Sequence, residues 1–466
     1  MNRSVFAAER ALPAHIRTRP PTAWRRVAAA LCVLAAPAIA HGCDKPAKKA
    51  KPEPLPPYAV LPSGIVRETG ECKGTITGNL VSYAVHRPAK GRNLPVFLHQ
   101  YGAHTENTAE LNERVAGYGI FSVAVAMHDG HCGYELQDYK DAIDAVFQRY
   151  RGMVDPGNVA IAGASYGGAV VYGMSVRFPY LFNAAFPIFG IADFGYDERQ
   201  SWYPMIMDNS PAWNPIVSMG RKIGDPSRDR ETRYLVRNAI LAARNNPYSH
   251  FEIVHDVADG VGKGGVQVEQ SRRFVAELQR LGYTNWRYTE TPKEGFVFPA
   301  DDRYPQTKWG TPIRYGHGFY GLKHDALLHL ELEVLRPGLL GALWKKERFR
   351  SSGEVFVPSF FEVPFFRFDL GQVENNGDEA AEVAYDVSSR TRYRFRILAR
   401  TELTVARLRL MQLEPNRHYA VTCREGTRGV VLEERSVTDA AGVFSVTLPA
   451  VPKGQRLVVT IEQNRP

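Results

Sequence analysis

The sequence predicts an α/β fold, in which helices flank a mostly parallel sheet, followed by a C-terminal antiparallel β-sandwich. Between residues 94 and 289, short apolar runs alternate with stretches of helical spacing. This pattern is typical of a parallel sheet that is covered on both faces. After about residue 350, apolar and polar residues alternate, turn signals such as residues 375–377 separate the runs, and no helical pattern intervenes. That change favours an antiparallel sandwich.

The predicted elements follow one another in a simple order along the chain. In the α/β region, apolar runs predict strands at residues 76–85, 94–99, 120–126, 159–162, 184–189, 251–254 and 286–289. Helical spacing predicts helices at residues 138–150 and 268–281. In the C-terminal region, alternation predicts strands at residues 393–397, 419–423, 443–448 and 457–461.

We therefore expect an α/β domain over residues 61–349 and a β-sandwich accessory domain over residues 350–466. Two segments interrupt the α/β rhythm, at residues 196–250 and 290–316, where Pro, Trp and mixed charge replace periodicity. Both are expected on the side of the sheet that carries the active-site loops, where they could form a cap over a pocket. The alternative is that they are surface insertions without a role in the site.

The excess positive charge belongs to the N-terminal region. The chain has a formal net charge of +9, and residues 1–51 hold ten basic but only two acidic side chains. The rest of the chain has no charge footprint for nucleic acid, so we expect no nucleic-acid partner. An apolar run over residues 27–40 follows Arg25 and Arg26 and ends in an A-x-A cleavage pattern at Ala40. This run is too short to span a bilayer and predicts a signal peptide over residues 1–40.

A second processing pattern overlaps the predicted cleavage site. Residues 39–43 resemble a bacterial lipoprotein box, in which Cys43 would carry the lipid. The following Pro- and Lys-rich segment, residues 41–60, would then be a tether. We favour plain secretion, because His41 fits the box poorly, and keep membrane attachment through lipidated Cys43 as the alternative. Either way, we expect an extracytoplasmic protein (periplasmic, membrane-anchored or secreted) of a bacterium.

The segment NVAIAGASYGG, residues 158–168, has the pattern of a nucleophile elbow. An apolar strand leads into Gly163, and a helix-compatible segment of small residues follows Gly167. The sharp turn leaves no room for side chains two residues on either side of Ser165, which explains the two glycines. We therefore predict that Ser165 is a nucleophile, against the alternative of an ordinary strand-to-helix loop.

An elbow serine needs a base and an acid, and this chain offers both in the order Ser, Asp, His. Asp259 lies in the loop after the predicted strand 251–254 and is our candidate for the acid, with Asp256 and Asp193 as rivals. His317 lies between two glycines and is our candidate for the base. Its imidazole can take the serine proton and return it, because its pKa lies near working pH.

Backbone N–H groups are expected to stabilise the oxyanion. One donor should be the N–H of Tyr166, directly after the nucleophile. The second should come from the loop after the predicted strand 94–99, where we favour Tyr101 over Gln100.

We expect neither a metal nor a nucleotide cofactor. His128, Asp129, His131 and Cys132 are ligand types close together, but no H-E-x-x-H or paired C-x-x-C motif supports a site. No Walker loop is present in the sequence either. Cys132 could instead form a disulfide with Cys72 in an exported protein, or both could stay free thiols.

Four segments together resemble the α/β-hydrolase superfamily. They are PVFLHQYG at 95–102, VDPGNVAIAGASYGG at 154–168, HDVADGV at 255–261 and GHGF at 316–319. The similarity is greatest to the branch that holds prolyl-oligopeptidase-type domains, dienelactone hydrolases and acetyl xylan esterases.

This resemblance implies an α/β-hydrolase fold and assigns the nucleophile to Ser165, the acid to Asp259 and the base to His317. It also matches Tyr101 to the tyrosine of the esterase oxyanion loop. The chain departs from the family pattern at Gln100 and Asp256, where the family usually has glycine.

We therefore expect an exported serine hydrolase that cleaves an ester or amide bond of a small molecule or peptide through an acyl-enzyme. Only the tether and a short segment precede the hydrolase region, so we expect no N-terminal β-propeller, which favours an ester. One alternative is a prolyl-oligopeptidase-like serine peptidase. Another is a non-catalytic surface protein that binds its partner through the C-terminal sandwich.

Overall fold

The computed structural model describes most of the α/β region and of the C-terminal region. The described residues are 58–100, 109–126, 133–194, 230–257, 259, 266–291, 349–371, 378–389, 391–426 and 429–463. All of them belong to one compact unit. The predicted signal peptide and residues 41–57 of the predicted tether lie outside this part of the chain.

Nine strands of the described residues form one sheet, in the order β1-β2-β3-β5-β4-β6-β7-β8-β9. They are β1 (Tyr58–Val60), β2 (Val66–Lys73), β3 (Leu80–Arg87), β4 (Leu94–Gln100), β5 (Phe121–Val125), β6 (Val154–Ala164), β7 (Ala184–Ile188), β8 (His250–Asp256) and β9 (Trp286–Thr291). Strands β4 to β9 run parallel to their neighbours, whereas β1, β2 and β3 add antiparallel pairs at one side. The predicted mostly parallel sheet is confirmed.

Helices lie between these strands in the chain. They are α1 (Ala109–Gly117), α2 (Glu135–Arg149), α3 (Tyr166–Arg177), a short α4 (Ala239–Ala242) and α5 (Val268–Arg280). Helix α5 buries Phe274 and Leu278 one turn apart, which is the spacing of an amphipathic helix that packs on a sheet. In the part of the chain that the structure describes, no helix is long and apolar enough to span a membrane.

Two of the N-terminal predictions differ from the structure. The predicted strand 76–85 is wrong at its beginning, because residues 74–79 form the turn between β2 and β3. The alternation of apolar residues begins inside the turn and continues into β3, so the pattern predicted a strand that starts too early. The last three residues of the predicted tether form β1, which pairs antiparallel with β2.

The C-terminal region folds into two antiparallel sheets around a second buried core, so the predicted sandwich is confirmed. Among the described residues, one sheet has the order β10-β13-β14-β19-β16-β17 and the other has β11-β12-β15-β18. The strands are β10 (Ser352–Pro358), β11 (Phe360–Val363), β12 (Phe366–Leu370), β13 (Ala380–Asp386), β14 (Arg392–Ala399), β15 (Ala406–Leu410), β16 (His418–Glu425), β17 (Gly429–Val437), β18 (Phe444–Leu448) and β19 (Arg456–Gln463).

The sandwich shares part of the α/β core. Phe356, Phe360 and Ala380 belong to the same buried cluster as the strands and helices of the α/β region. The Phe360 ring stacks on Tyr134 of the α/β region at 5.4 Å between ring centroids. The guanidinium of Arg177, at the end of α3, lies 5.4 Å from the centre of the same ring. The sandwich therefore packs directly on the helix that follows Ser165.

The end of the first predicted insertion also contributes to the core. Residues 234–243 include buried apolar side chains of the α/β cluster, and α4 packs against α3 and β10. Residues 196–229 of this insertion and residues 292–316 of the second one lie outside the described residues. A cap over the site thus stays a prediction.

Candidate active site

Ser165 lies at a sharp turn between a strand and a helix. Strand β6 ends at Ala164 and helix α3 begins at Tyr166. Between them, Ser165 has a φ of 57° and a ψ of −118°. Residues other than glycine rarely adopt these backbone angles, which cost about 1–3 kcal/mol. The Ser165 N–H donates to the carbonyl of Ile188 at 3.0 Å. The predicted strand–turn–helix arrangement is confirmed.

Three glycines allow this turn to pack closely. A Cβ at Gly163 would lie 2.5 Å from the Gly167 carbonyl oxygen, and one at Gly167 would lie 2.1 Å from the Gln100 carbonyl oxygen. A Cβ at Gly168 would lie 2.5 Å from the Cα of Gly190. Each distance is shorter than any real contact of a Cβ, so the elbow requires glycine at these positions for lack of space.

The structure describes one of the two predicted oxyanion donors, Tyr166. Tyr166 is the first residue of α3, and the first N–H groups of a helix take no part in its internal hydrogen bonds. The positive end of the helix dipole lies at the same place and favours developing negative charge. Gln100 is the last residue of β4, and its buried carbonyl faces Gly167. Tyr101 follows it and lies outside the described residues.

Asp259 lies just beyond the carboxyl end of β8 and is 1% exposed. Its Oδ1 accepts a hydrogen bond from the N–H of Val266 at 2.9 Å. Its Oδ2 lies 3.5 Å from Nε2 of His255, which is completely buried. A buried carboxylate with such partners is held in one orientation, as the acid of a catalytic triad must be.

The rival acid Asp193 lies beyond the carboxyl end of β7. Its Oδ2 is 3.3 Å from Nη1 of Arg273 on α5. The Gln270 side chain makes two hydrogen bonds to the backbone of Asp193. Its Oε1 accepts from the Asp193 N–H at 2.8 Å, and its Nε2 donates to the Asp193 carbonyl at 2.9 Å. This arrangement favours a structural role for Asp193. The backbone of Asp256, the other rival, ends β8.

The ends of three neighbouring parallel strands meet around Ser165. Strand β7 lies between β6, which leads to Ser165, and β8, which leads to Asp259. Phe189, just after β7, has a φ of 36° and donates from its N–H to the Val254 carbonyl at 2.7 Å. Ser165 and Asp259 therefore emerge at the same edge of the sheet, where ligands bind in open α/β sheets.

No sequence signal singled out Phe189 or Gln270, because the first follows a plain apolar run and the second is one of several polar residues on an amphipathic helix.

The remaining site predictions lie outside the described residues. They are His317, Tyr101 and the group of His128, Asp129, His131 and Cys132. Among the residues that the structure does describe, no group of three or more His, Cys, Asp or Glu side chains is placed to hold a metal. Cys72 and Cys423 are free cysteines in the structure.

A sequence model of the prolyl oligopeptidase family, peptidase family S9, matches part of this chain. The match covers residues 124–306. The predicted resemblance to the prolyl-oligopeptidase branch is thereby confirmed. The prolyl oligopeptidase segment contains Ser165, Tyr166 and Asp259, whereas Tyr101 and His317 lie beyond its two ends.

Solved structures of peptidases are similar to this chain over part of its length. The acylaminoacyl peptidase of Pyrococcus horikoshii is 15% identical, with a TM-score of 0.44 over 61% of this chain and 43% of its own. A puromycin-hydrolyzing peptidase of Mycobacterium tuberculosis is 16% identical, with a TM-score of 0.44 over 62% of this chain and 41% of its own.

Dipeptidyl peptidase 4 of Porphyromonas gingivalis is 18% identical, with a TM-score of 0.39 over 51% of this chain and 33% of its own. The chain thus spans less than half the length of these peptidases. The search of curated proteins found no significant match.

Proposed function

We propose that this protein is a serine hydrolase of the peptidase type, which cleaves an amide bond of a small peptide through an acyl-enzyme at Ser165. The observation that carries the proposal is the strained turn at Ser165, which stands between β6 and α3 inside a segment that matches the prolyl oligopeptidase family. The sequence alone favoured an ester substrate. The family match supports the amide bond instead.

In the proposed reaction, His317 takes the proton of the Ser165 hydroxyl while Oγ attacks the substrate carbonyl carbon. The N–H groups of Tyr166 and Tyr101 donate hydrogen bonds to the oxyanion that forms. Asp259 holds the imidazolium of His317, which then protonates the leaving amine as the C–N bond breaks. Water, activated by the same histidine, attacks the acyl-enzyme and releases the acid, and Ser165 regains its proton.

The first test is labelling of the purified protein with a fluorophosphonate, which reacts with an activated serine. We expect wild-type protein to be labelled and Ser165→Ala to be inert. Ser175→Ala is a matched control, because Ser175 is fully buried in the same helix α3 and plays no part in the proposed chemistry. An unlabelled, folded wild type would contradict the proposal and favour the non-catalytic binding protein that uses the sandwich.

The second test separates peptidase from esterase. A set of N-terminally free and N-blocked aminoacyl and dipeptidyl coumarin amides is compared with coumarin esters that have the same acyl groups. Because peptidases also cleave activated esters, only hydrolysis of the amides distinguishes a peptidase from an esterase. Turnover of esters without any turnover of amides would support the second candidate, an esterase, which the similarity of the loop at Tyr101 to acetyl xylan esterases favours.

We also propose that the protein works outside the cytoplasm. The support is the sequence pattern alone, a basic region followed by the apolar run over residues 27–40 and an A-x-A pattern. Sequencing the N-terminus of the mature protein tests this proposal. A terminus at His41 indicates plain secretion, a lipid-modified Cys43 indicates membrane attachment, and an intact leader would contradict export.

A further inference from the structure

A completely buried histidine, His255, lies beside the Asp259 carboxylate. His255 lies near the end of β8, and its Nε2 is 2.7 Å from the carbonyl oxygen of Val266. A carbonyl can only accept a hydrogen bond, so Nε2 must carry a proton and donate it. The His255 side chain therefore joins the end of β8 to Val266, the residue whose N–H donates to Asp259.

The same bridge acts on the Asp259 carboxylate through Val266. The Val266 carbonyl accepts from His255, while the Val266 N–H donates to Oδ1 of Asp259 at 2.9 Å. The second carboxylate oxygen, Oδ2, lies 3.5 Å from Nε2 of His255. The backbone of Val266 is thus held at its carbonyl by His255 and at its N–H by Asp259. Fixing Val266 in this way also fixes the orientation of the Asp259 carboxylate.

The other ring nitrogen anchors His255 to helix α5. Nδ1 lies 2.7 Å from the hydroxyl oxygen of Ser271, which is itself fully buried. One turn further along α5, the Phe274 ring lies 4.5 Å from the ring of Tyr172 on α3. Helix α3 begins directly after Ser165. Helix α5, which anchors His255 through Ser271, therefore also packs against α3, the helix that follows Ser165.

The His255 ring also has an aromatic neighbour. The Phe189 ring lies in a T-shaped arrangement with it, at 6.5 Å between ring centroids and 79° between ring planes. Phe189 has its unusual positive φ next to the elbow, where Ile188 accepts from the Ser165 N–H. Both ring nitrogens of His255 thus have hydrogen-bond partners and the ring has an aromatic neighbour, and rotation of the ring would break both hydrogen bonds.

We propose that His255 is a positioning residue, which fixes Val266 and thereby orients the Asp259 carboxylate for its contact with the catalytic histidine. This inference rests on the proposed function, because it needs Asp259 to be the acid of the triad. His255 does not touch the substrate and takes no proton from it. It acts through Val266 and Asp259, with Ser271 as its anchor.

The test compares His255→Ala and His255→Gln with wild type. We expect His255→Ala to lower kcat by about 10- to 100-fold, as small misplacements of catalytic groups do, with little change in KM. The apparent pKa on the acid side of the kcat/KM profile should fall, because a misplaced carboxylate stabilises the imidazolium less. The amide of His255→Gln can still donate to the Val266 carbonyl and should restore part of kcat.

A matched control is His250→Gln, the same substitution at the beginning of the same strand, where the half-buried His250 lies beside Glu252 at 3.3 Å. It should leave kcat and the pH profile unchanged. If His255→Ala lowers kcat without moving the pH profile, or does not lower it, the positioning role is overturned. The proposed function would survive that result as long as wild type is labelled at Ser165, so the two failures are distinguishable.

A measurement on wild type covers the case in which the alanine variant does not fold. Nitrogen-15 spectra of protein with labelled histidine, assigned with His255→Gln, report which ring nitrogen carries the proton. We expect a protonated Nε2 in His255 whose hydrogen exchanges slowly with water and whose signals shift in Ser271→Ala. An Nε2 without a proton, or one that exchanges as fast as an exposed histidine, would overturn the inference.

Discussion

The side chain of Asn245 and the backbone of Phe356 exchange two hydrogen bonds. Nδ2 of Asn245 donates to the Phe356 carbonyl at 2.6 Å, and the Phe356 N–H donates to Oδ1 of Asn245 at 2.8 Å. Nδ2 also donates to the carbonyl of Val176, near the end of α3, at 2.9 Å. One buried amide thus joins the α/β region, the elbow helix and the first strand of the sandwich.

Replacing Asn245 should destabilise both halves of the described structure together. Asn245→Ala leaves the Phe356 N–H and two carbonyls buried without their partner, and each such group costs about 1–3 kcal/mol. Because some bonds can be remade, we expect the free energy of unfolding to fall by about 2–4 kcal/mol in total. Urea unfolding followed by circular dichroism measures it. Gln455→Ala, which removes an exposed side-chain amide, is the control.

The shape of the same unfolding curve is informative. Since Phe356, Phe360 and Ala380 are part of the α/β core, we expect one transition for both regions in wild type and in Asn245→Ala. Two separate transitions, with the first unaffected by the substitution, would show that the sandwich folds independently and that this contact adds little.

Adding one methyl group at the elbow should abolish the activated serine. In Gly167→Ala the new Cβ would lie 2.1 Å from the Gln100 carbonyl oxygen, so β4 or α3 must move. We expect the rate of fluorophosphonate labelling to fall by about 100-fold or more. Gly117→Ala is the matched control, because a Cβ there meets nothing within 4 Å. Equal labelling of the two variants would contradict the tight elbow.

Three aspartates lie at or just beyond the ends of β7 and β8, and replacing each with asparagine should show which one is the acid. Asp259→Asn should lower kcat by about 10³- to 10⁴-fold, the loss seen when a triad acid can no longer hold its histidine. Asp193→Asn should have a much smaller effect, because its carboxylate pairs with the partly exposed Arg273. Asp256→Asn is the third member of the set. If Asp193 or Asp256 gives the largest loss of kcat at an unchanged KM, the assignment of Asp259 is wrong.

A buried ionic cluster between α2 and the sandwich should make stability depend on pH. Burial raises the pKa of Glu362, but Lys140 and Arg367 outweigh it and hold that pKa below its usual 4.5. Nη1 of Arg367 lies 2.8 Å from Glu362, and Tyr180 donates a hydrogen bond to the same carboxylate. Because the pKa is lower in the folded state, the pair stabilises the fold at neutral pH. This stabilisation is lost as the pH falls below about 4.5 through the folded-state pKa.

Glu362→Gln removes this charge and should test the sign of the effect. We expect the variant to be less stable than wild type by about 1–3 kcal/mol at pH 7, and the difference should shrink at pH 4. Glu433→Gln, at an exposed position of β17, should change stability little at either pH. A difference between Glu362→Gln and wild type that is the same at both values of pH would contradict the depressed pKa.

Local patterns in the sequence were sufficient to predict the central elements. Residues 94–99 and 184–189 are apolar on both faces, as buried parallel strands are, and correspond to β4 and β7. The strict alternation at residues 393–397 and 457–461 predicted β14 and β19. The elbow could be predicted because its glycines are required by contacts only a few residues away.

The sequence by itself thus determined the class of each region, the turn at Ser165 and the order in which the candidate acid follows it. Only the tertiary structure decided that Phe356 and Phe360 pack in the α/β core and that His255 contacts both Val266 and Asp259. It also decided that Glu362 and Arg367 have partners on α2 and just beyond the end of α3. The physical reason is that periodicity records which side of a segment is buried, whereas the surface or charge that meets it comes from residues far away in the chain. A buried Arg or Glu looks like an exposed one until its partner is in place.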